Sequence, residues 1–501
     1  MTAFVISFVI LILTTGLSTY LAIRGKKMDM KEWAIGGGSF GTLLFWFLNA
    51  GEIFTTFAFL GASGWAYSYG APGFYILANV ALGYVLGYWF LPRIWEISKR
   101  YDIYTQADYF RLRFENRWLA VLLAIIGIMA LIPYMQLQFT GLSLIIQVVF
   151  HGAVNKNMAV LVSGLIILAF VFTAGLRSTA FAAVVKDAFM ILVLVAVTVS
   201  LGAMTHLGSI GHIFSLMHQK HPSYARLPGL KPKVHYTSLW FMSTIMMTNV
   251  GYWMWPQQFQ FTASAKSGDT VRRNAIFQPL YALSYFFILL IGFAALLTLP
   301  HLKNSNSALL ALIAHSYPQW FLGVVGGAAM LIAVVPCAGL LLTLGTIFSK
   351  NIYRGVFAPK SSDRTVLSVS RIAIVVATAI SLWLTLNSSS TIVNILLVAY
   401  SAVSQIGPAF ILSLLWRRVT AAGVLVGSIV GLVGITVPSV IHFETSIAFT
   451  MNHGFVALLL NIIATVFVSL ITPKPSEKAI EVGIASEEQR RGAYTGVAAD
   501  I

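Results

Sequence analysis

The sequence predicts an all-α polytopic membrane protein with thirteen transmembrane helices, and three observations carry that prediction. Of the 501 residues, 58% are hydrophobic and only 10% are charged. Soluble domains carry about 25% charged residues, so most of this surface faces lipid. Apolar runs of roughly the 20 residues that cross a hydrocarbon core recur along the chain. Basic residues collect in alternate segments between those runs, the pattern of a multi-pass topology.

The first span, 3–23, opens Met1-Thr2-Ala3-Phe4 and meets no basic residue before Arg24. It lacks the charged start of a cleavable leader and is expected to be retained. The second, 40–70, is interrupted by Asn49-Ala50-Gly51-Glu52-Ile53-Phe54-Thr55-Thr56, a polar patch around a glycine. Spans 72–95, 118–149, 157–177 and 187–206 follow, then a loop of 207–236. The remainder reads as spans 237–260, 275–299, 319–349, 369–388, 390–416, 419–441 and 446–472, with a polar tail 473–501. The second, fourth, ninth and eleventh exceed what a straight crossing needs, which a tilt, a break or an added turn absorbs.

If the N-terminus is outside, all but six of the 32 Lys and Arg face the cytoplasm; the six are Lys156, Lys220, Arg226, Lys231, Lys233 and Lys303. That bias implies an outer N-terminus, a cytoplasmic C-terminus and a bacterial inner (plasma) membrane. Four of the six lie in the loop 207–236, which reads as a solvated cap or as a basic surface that attracts anions. The formal net charge of +16 is spread over short loops without a contiguous basic domain. It therefore reports topology and implies no nucleic-acid partner.

The chain has one cysteine, Cys337, in an apolar span. This excludes an internal disulfide and a cysteine-based metal cluster. No His-x-x-x-His spacing, Gly-x-Ser-x-Gly turn or pair of intramembrane acids suggests an enzyme. Glu52 is the only carboxylate that hydropathy places deep in a span, and no strongly basic residue is expected there. A buried ionisable group costs several kcal/mol unless it faces a cavity or a partner. Beside Gly51 it marks a candidate midplane site in a helix that can break.

Four sequence motifs point to a family. They are Trp33-Ala34-Ile35-Gly36-Gly37-Gly38-Ser39; Tyr104-Thr105-Gln106-Ala107-Asp108-Tyr109-Phe110-Arg111-Leu112-Arg113-Phe114; Gly251-Tyr252-Trp253-Met254-Trp255-Pro256 through Ala265-Lys266; and Gly407-Pro408-Ala409 through Ser413-Leu414-Leu415-Trp416. In this order and spacing the chain resembles the sodium:solute symporter family from span two onward. The Ala333-x-x-Pro336 segment with Asn351-Ile352-Tyr353 is similar to its monocarboxylate permeases.

The resemblance implies a LeuT-type core of two five-helix inverted repeats. Its organisation would be an extra span and loop over 1–39, a core over 40–416 (about 40–206 and 237–416, joined by the external loop), two further spans over 417–472 and the tail. It also implies a secondary active transporter that imports a small organic solute, with a monocarboxylate as the expected substrate and no cofactor. Candidate substrate contacts are Asn49, Glu52, Thr55, Thr56, Asn249, Tyr252, Trp253, Tyr400 and Gln405. Trp255 reads equally as an interface anchor. The family's cation ligands fall on Gly51, Phe54, Ile332, Val335 and Pro336, although Val335 and Pro336 stand where hydroxyls are expected and carry no side-chain oxygen. Pro336 would free the Ile332 carbonyl one turn back. The coupling ion stays open between Na⁺ and H⁺, because a buried Glu52 could take a proton. Asp187, following Lys186 at the start of span six, reads as a cytoplasmic gate or as a solvated acid at a helix end. A symporter-like sensor acting through a separate partner is the alternative; a small membrane partner and a homo-oligomer are both left open.

Overall fold

The computed structural model describes residues 2–23, 29–231, 236–437 and 451–484. The basic residues Arg24, Lys26, Lys27, Lys233, Arg490 and Arg491, the junction of the last two predicted spans and most of the tail lie outside these. Among the described residues all regular structure is helical, apart from one isolated bridge between Phe40 and Ala265. The physical reason is that hydrocarbon offers the backbone no hydrogen bonds, so each spanning segment must satisfy its own.

The principal helices are α1 Thr2–Ile23, α2 Thr42–Ala50, α3 Ala62–Tyr69, α4 Phe74–Arg100, α5 Arg117–Val149, α6 Lys156–Met204, α7 Ser238–Tyr252, α8 Pro256–Ser264, α9 Pro279–Thr298, α10 Gln319–Thr346, α11 Asp363–Asn387, α12 Ile392–Val403, α13 Gly407–Leu415, α14 Ala421–Thr436 and α15 His453–Ile471. Their starts follow local chemistry. Asn116, Asn155, Thr237, Ser362, Thr391, Thr420 and Asn452 each accept a hydrogen bond from a free backbone N–H of the first turn. Such caps stabilise a helix start by about 1 kcal/mol.

Nine helical stretches among the described residues are long and apolar enough to cross a bilayer, and 156–172 and 421–436 are shorter apolar helices. The predicted second and seventh spans are each divided. The second runs as α2, a tight turn Gly51–Ile53, a wide turn Phe57–Gly61 and α3. The seventh stops at Tyr252 and restarts at Pro256.

The two divided spans lie side by side in opposite directions. At one end Phe40 N–H donates to the Ser264 carbonyl at 2.9 Å, and Lys266 N–H donates to the Phe40 carbonyl at 2.9 Å. This ties the start of α2 to the end of α8. At the other end Trp65 of α3 stacks on Trp240 of α7, ring centroids 5.9 Å apart. The loop after α6 closes over that end, where Ala71 N–H donates to the Tyr224 carbonyl at 2.6 Å and Leu230 N–H to the Tyr69 carbonyl at 3.0 Å.

α10 is buried on nearly every side and packs on α1, α5 and α6, as a helix apolar all round must. α6 departs from the expected boundary of span six at 187. It bends at Gly175, where φ is +62°, and continues unbroken to Met204. Lys186 and Asp187 therefore lie inside a membrane helix, at 1% and 0% side-chain exposure. The expectation of no intramembrane cation is corrected, as is the reading of Asp187 as a solvated acid. Two adjacent charges lowered the local hydropathy and shifted the apparent boundary past them.

The motifs are largely structural. The three glycines 36–38 all have positive φ, and the Arg177 guanidinium donates to the Gly36 carbonyl at 2.7 Å and to Ser39 Oγ at 3.0 Å while pairing with Glu32. Tyr109 and Ser413 hydroxyls share a hydrogen bond at 2.7 Å, and Arg113 Nε donates to the Ser413 carbonyl at 3.2 Å. The second motif is thus fastened to the fourth.

Candidate functional site

The break between α2 and α3 begins at Gly51, where there is no room for a side chain. A Cβ at that position would stand 2.0 Å from Asp187 Oδ2. The turn is closed by Phe54 N–H donating to the Gly51 carbonyl at 3.1 Å. Gly51 and Phe54 also turn their carbonyls to α6, where Lys186 Nζ donates to them at 2.6 and 3.1 Å. The ammonium lies 2.7 Å from Asp187 Oδ1, in ion-pair contact but outside hydrogen-bond geometry. It also lies 6.0 Å from the Phe54 ring centroid.

On the other side of the turn Glu52 faces a cavity of about 30 Å³ lined by Glu52, Thr55, Asn79, Tyr134, Tyr252, Trp255, Gln257, Gln258, Tyr285 and Tyr400, with Phe57, Val80 and Leu396. A volume of that size holds roughly two waters, so the cavity is closed to an organic solute. Gln257 Nε2 donates to Glu52 Oε1 at 3.3 Å. Tyr134, Trp255 and Tyr400 form one wall, with centroid separations of 4.8 and 5.4 Å. Asn79 Oδ1 and Gln257 Oε1 are buried without a partner among the described residues, leaving acceptors for a solute or water.

Of the nine expected substrate contacts, the structure brings Glu52, Thr55, Tyr252 and Tyr400 to this cavity. The other five do not line it. Asn49 Nδ2 donates to Gln258 Oε1 at 3.2 Å and its Oδ1 accepts from Gln278. Thr56 Oγ1 donates to Gln138 Oε1 at 2.7 Å, Asn249 Nδ2 to the Ile245 carbonyl at 2.9 Å, and Trp253 Nε1 to the Gly83 carbonyl at 2.7 Å. Gln405 donates to the Ser401 carbonyl at 3.1 Å and accepts from Asn461 of α15 at 3.1 Å. Trp255 is a wall of the cavity, 2% exposed, so its reading as an interface anchor is corrected.

Asn79, Tyr134, Gln257, Gln258 and Tyr285 were missed. Two of them had a legible signal. Gln257-Gln258 directly follows Pro256 at a helix restart, where two amides in a membrane segment need a reason. The expected cation positions separate in kind. Gly51 and Phe54 carbonyls converge on the Lys186 ammonium, whereas Ile332, Val335 and Pro336 are buried within the continuous helix α10.

The profile of the sodium:solute symporter family matches residues 33–431. The chain belongs to this family. Relatives extend over nearly its whole length. It is 37% identical to the uncharacterized symporter YhjB of Bacillus subtilis (strain 168), over 93% of this chain and 97% of that one. It is 26% identical to a monocarboxylate transport permease protein of Rhizobium johnstonii, over 93% and 96% of the two chains. In structure it is similar to a Na⁺-coupled sialic acid symporter in a substrate-bound outward-open state, with a TM-score of 0.76 at 16% identity over 95% of this chain and 99% of that one. Mhp1, a nucleobase-cation-symport-1 family transporter, follows at 0.52 and 17% identity, over 88% and 95% of the chains. This family member is accordingly an integral membrane transporter and not an enzyme, and its fold is that of the LeuT-type symporters.

Proposed function

We propose that the protein is a cation-coupled symporter importing a small monocarboxylate by alternating access. The observation that carries this reading is the small polar cavity beside the two divided, antiparallel spans, with Glu52 on one wall and tyrosines 134, 252, 285 and 400 around it. Divided helices with polar groups at their break build midplane sites in transporters. Phenolic O–H groups are donors suited to a carboxylate. The family relative named as a monocarboxylate transport permease supports the substrate class. The nine long helices, the two shorter ones and the two divided spans agree with thirteen crossings in which spans two to six and seven to eleven form inverted repeats. The outward N-terminus rests on the distribution of basic residues. The coupling ion is Na⁺ or H⁺; each net positive charge moved inward gains about 2.3 kcal/mol per 100 mV.

The test is uptake of labelled acetate, lactate and pyruvate into proteoliposomes, with Na⁺ and proton gradients imposed separately. Accumulation of at least one acid under one gradient is expected, and Glu52→Gln abolishes it while the protein remains folded. No accumulation of any of the three under either gradient removes the substrate class.

A further inference from the structure

We infer that the ammonium of Lys186 is the resident cation of the position between the Gly51 and Phe54 carbonyls, so that this symporter binds no sodium ion there. The inference rests on reading the break after α2 as the transport site. Sodium requires a cage of oxygens, and the residues present fit an ammonium instead. Two of the three Lys186 N–H donors are used by the Gly51 and Phe54 carbonyls at 2.6 and 3.1 Å, and Asp187 Oδ1 neutralises the charge at 2.7 Å. Both ionic side chains are almost completely buried.

A buried ammonium is costly unless paired and hydrogen-bonded. Here the hydrogen bonds go to carbonyls that the break in the helix has released, and the pairing charge is Asp187, the next residue on α6. An alkali ion placed on the same carbonyls would sit within a few ångströms of a fixed positive charge. At that separation two cations repel strongly even in a well-screened interior. The other positions expected to ligate sodium argue the same way. Val335 and Pro336 are apolar and lie within a continuous helix, so neither offers a side-chain oxygen to a sodium ion. Among the described residues the other titratable side chain facing this region is Glu52, across the turn. Because the lysine is covalently held, the cation at this position cannot be released to either side. A sodium gradient therefore transfers no energy through it, and a coupling sodium ion would have to act elsewhere in the molecule.

The test counts sodium ions. ²²Na⁺ binding to the purified full-length protein is measured by scintillation proximity, alongside the unfolding temperature in NaCl against KCl. Lys186→Ala, with Asp187 retained, is expected to bind one more Na⁺ per chain than the unsubstituted protein and to gain a sodium-specific rise in unfolding temperature. Lys186→Met, closer in volume, is the second variant, and a requirement for NaCl during its purification would support the same conclusion. An unchanged sodium count in both folded variants overturns the inference. So does saturable binding by the unsubstituted protein that Asp187→Asn eliminates. These readings need no solute, so failure of the uptake experiment above leaves them standing.

Discussion

At the scale of single residues, the decisive group is the ion pair in the middle of α6. Removing one member of a buried pair typically costs about 3–5 kcal/mol, because the remaining charge is left uncompensated. Asp187→Ala is therefore expected to lower the unfolding temperature sharply, whereas Lys186→Met combined with Asp187→Leu recovers most of the loss. A double variant as unstable as Asp187→Ala would show that the pair is not what holds this region. Gly51 is limited by contact, not by its backbone angle. A methyl there would overlap Asp187 Oδ2 at 2.0 Å, and overpacking of this kind costs about 1–3 kcal/mol. Gly51→Ala should unfold at lower temperature and lose uptake; an unchanged unfolding temperature would show that the Asp187 carboxylate moves aside at no cost. Glu52 was legible in the sequence because a carboxylate in an apolar run stands alone. Lys186 was not, because beside Asp187 it resembled the charged end of a helix.

At the scale of elements, the sequence indicated where each of the two divided spans breaks. The first break falls at the Gly51 patch where small and polar residues indicated it. The second falls just after Gly251, where α7 stops at Tyr252 and the chain restarts at Pro256. Pro at the first helical position is favourable, since its missing N–H would be unpaired there in any case. The proline therefore fixes the restart. Four of the expected contacts, Asn49, Thr56, Trp253 and Gln405, fasten helices to one another instead of lining the cavity, while Asn249 bonds within its own helix, and no rule of spacing separates these uses. The short helix Gln106–Phe114 is held to α13 by Tyr109 and Arg113. Tyr109→Phe loses one buried hydrogen bond, worth about 1 kcal/mol. A small fall in unfolding temperature with unchanged solute affinity is expected; a large change in affinity would place this contact in the transport pathway.

At the scale of the whole molecule, the loop after α6 covers one end of the divided pair. Lys220, Lys231 and Lys303, with His221, line a second cavity of about 540 Å³ beside that loop, and Lys231 Nζ lies 4.8 Å from the Tyr69 ring centroid. Clustered positive charge raises the encounter rate of anions, and salt screens it over about 10 Å at 0.1 M. Replacing the three lysines by glutamine is expected to lower the initial uptake rate of a monocarboxylate at low ionic strength, with the difference vanishing at high salt. Equal rates at low salt would show that the loop is only a cover.

The sequence by itself determined the class, the family and the helical architecture, because these follow from properties of individual segments: apolar length, the absence of charge, and motifs in a fixed order. Glu52 and the broken second span were local in the same sense. What only the tertiary structure decided was which polar groups face which neighbour. Thr56 turns to Gln138, Asn49 to Gln258 and Gln405 to Asn461, while Asn79, Tyr134 and Tyr285, from three separate helices, meet around Glu52. Lys186 is 132 residues from Phe54 in sequence and 3.1 Å from its carbonyl in space. Hydropathy averages a charge over its own segment, but its energy is set by the oxygens that packing brings to it from other helices.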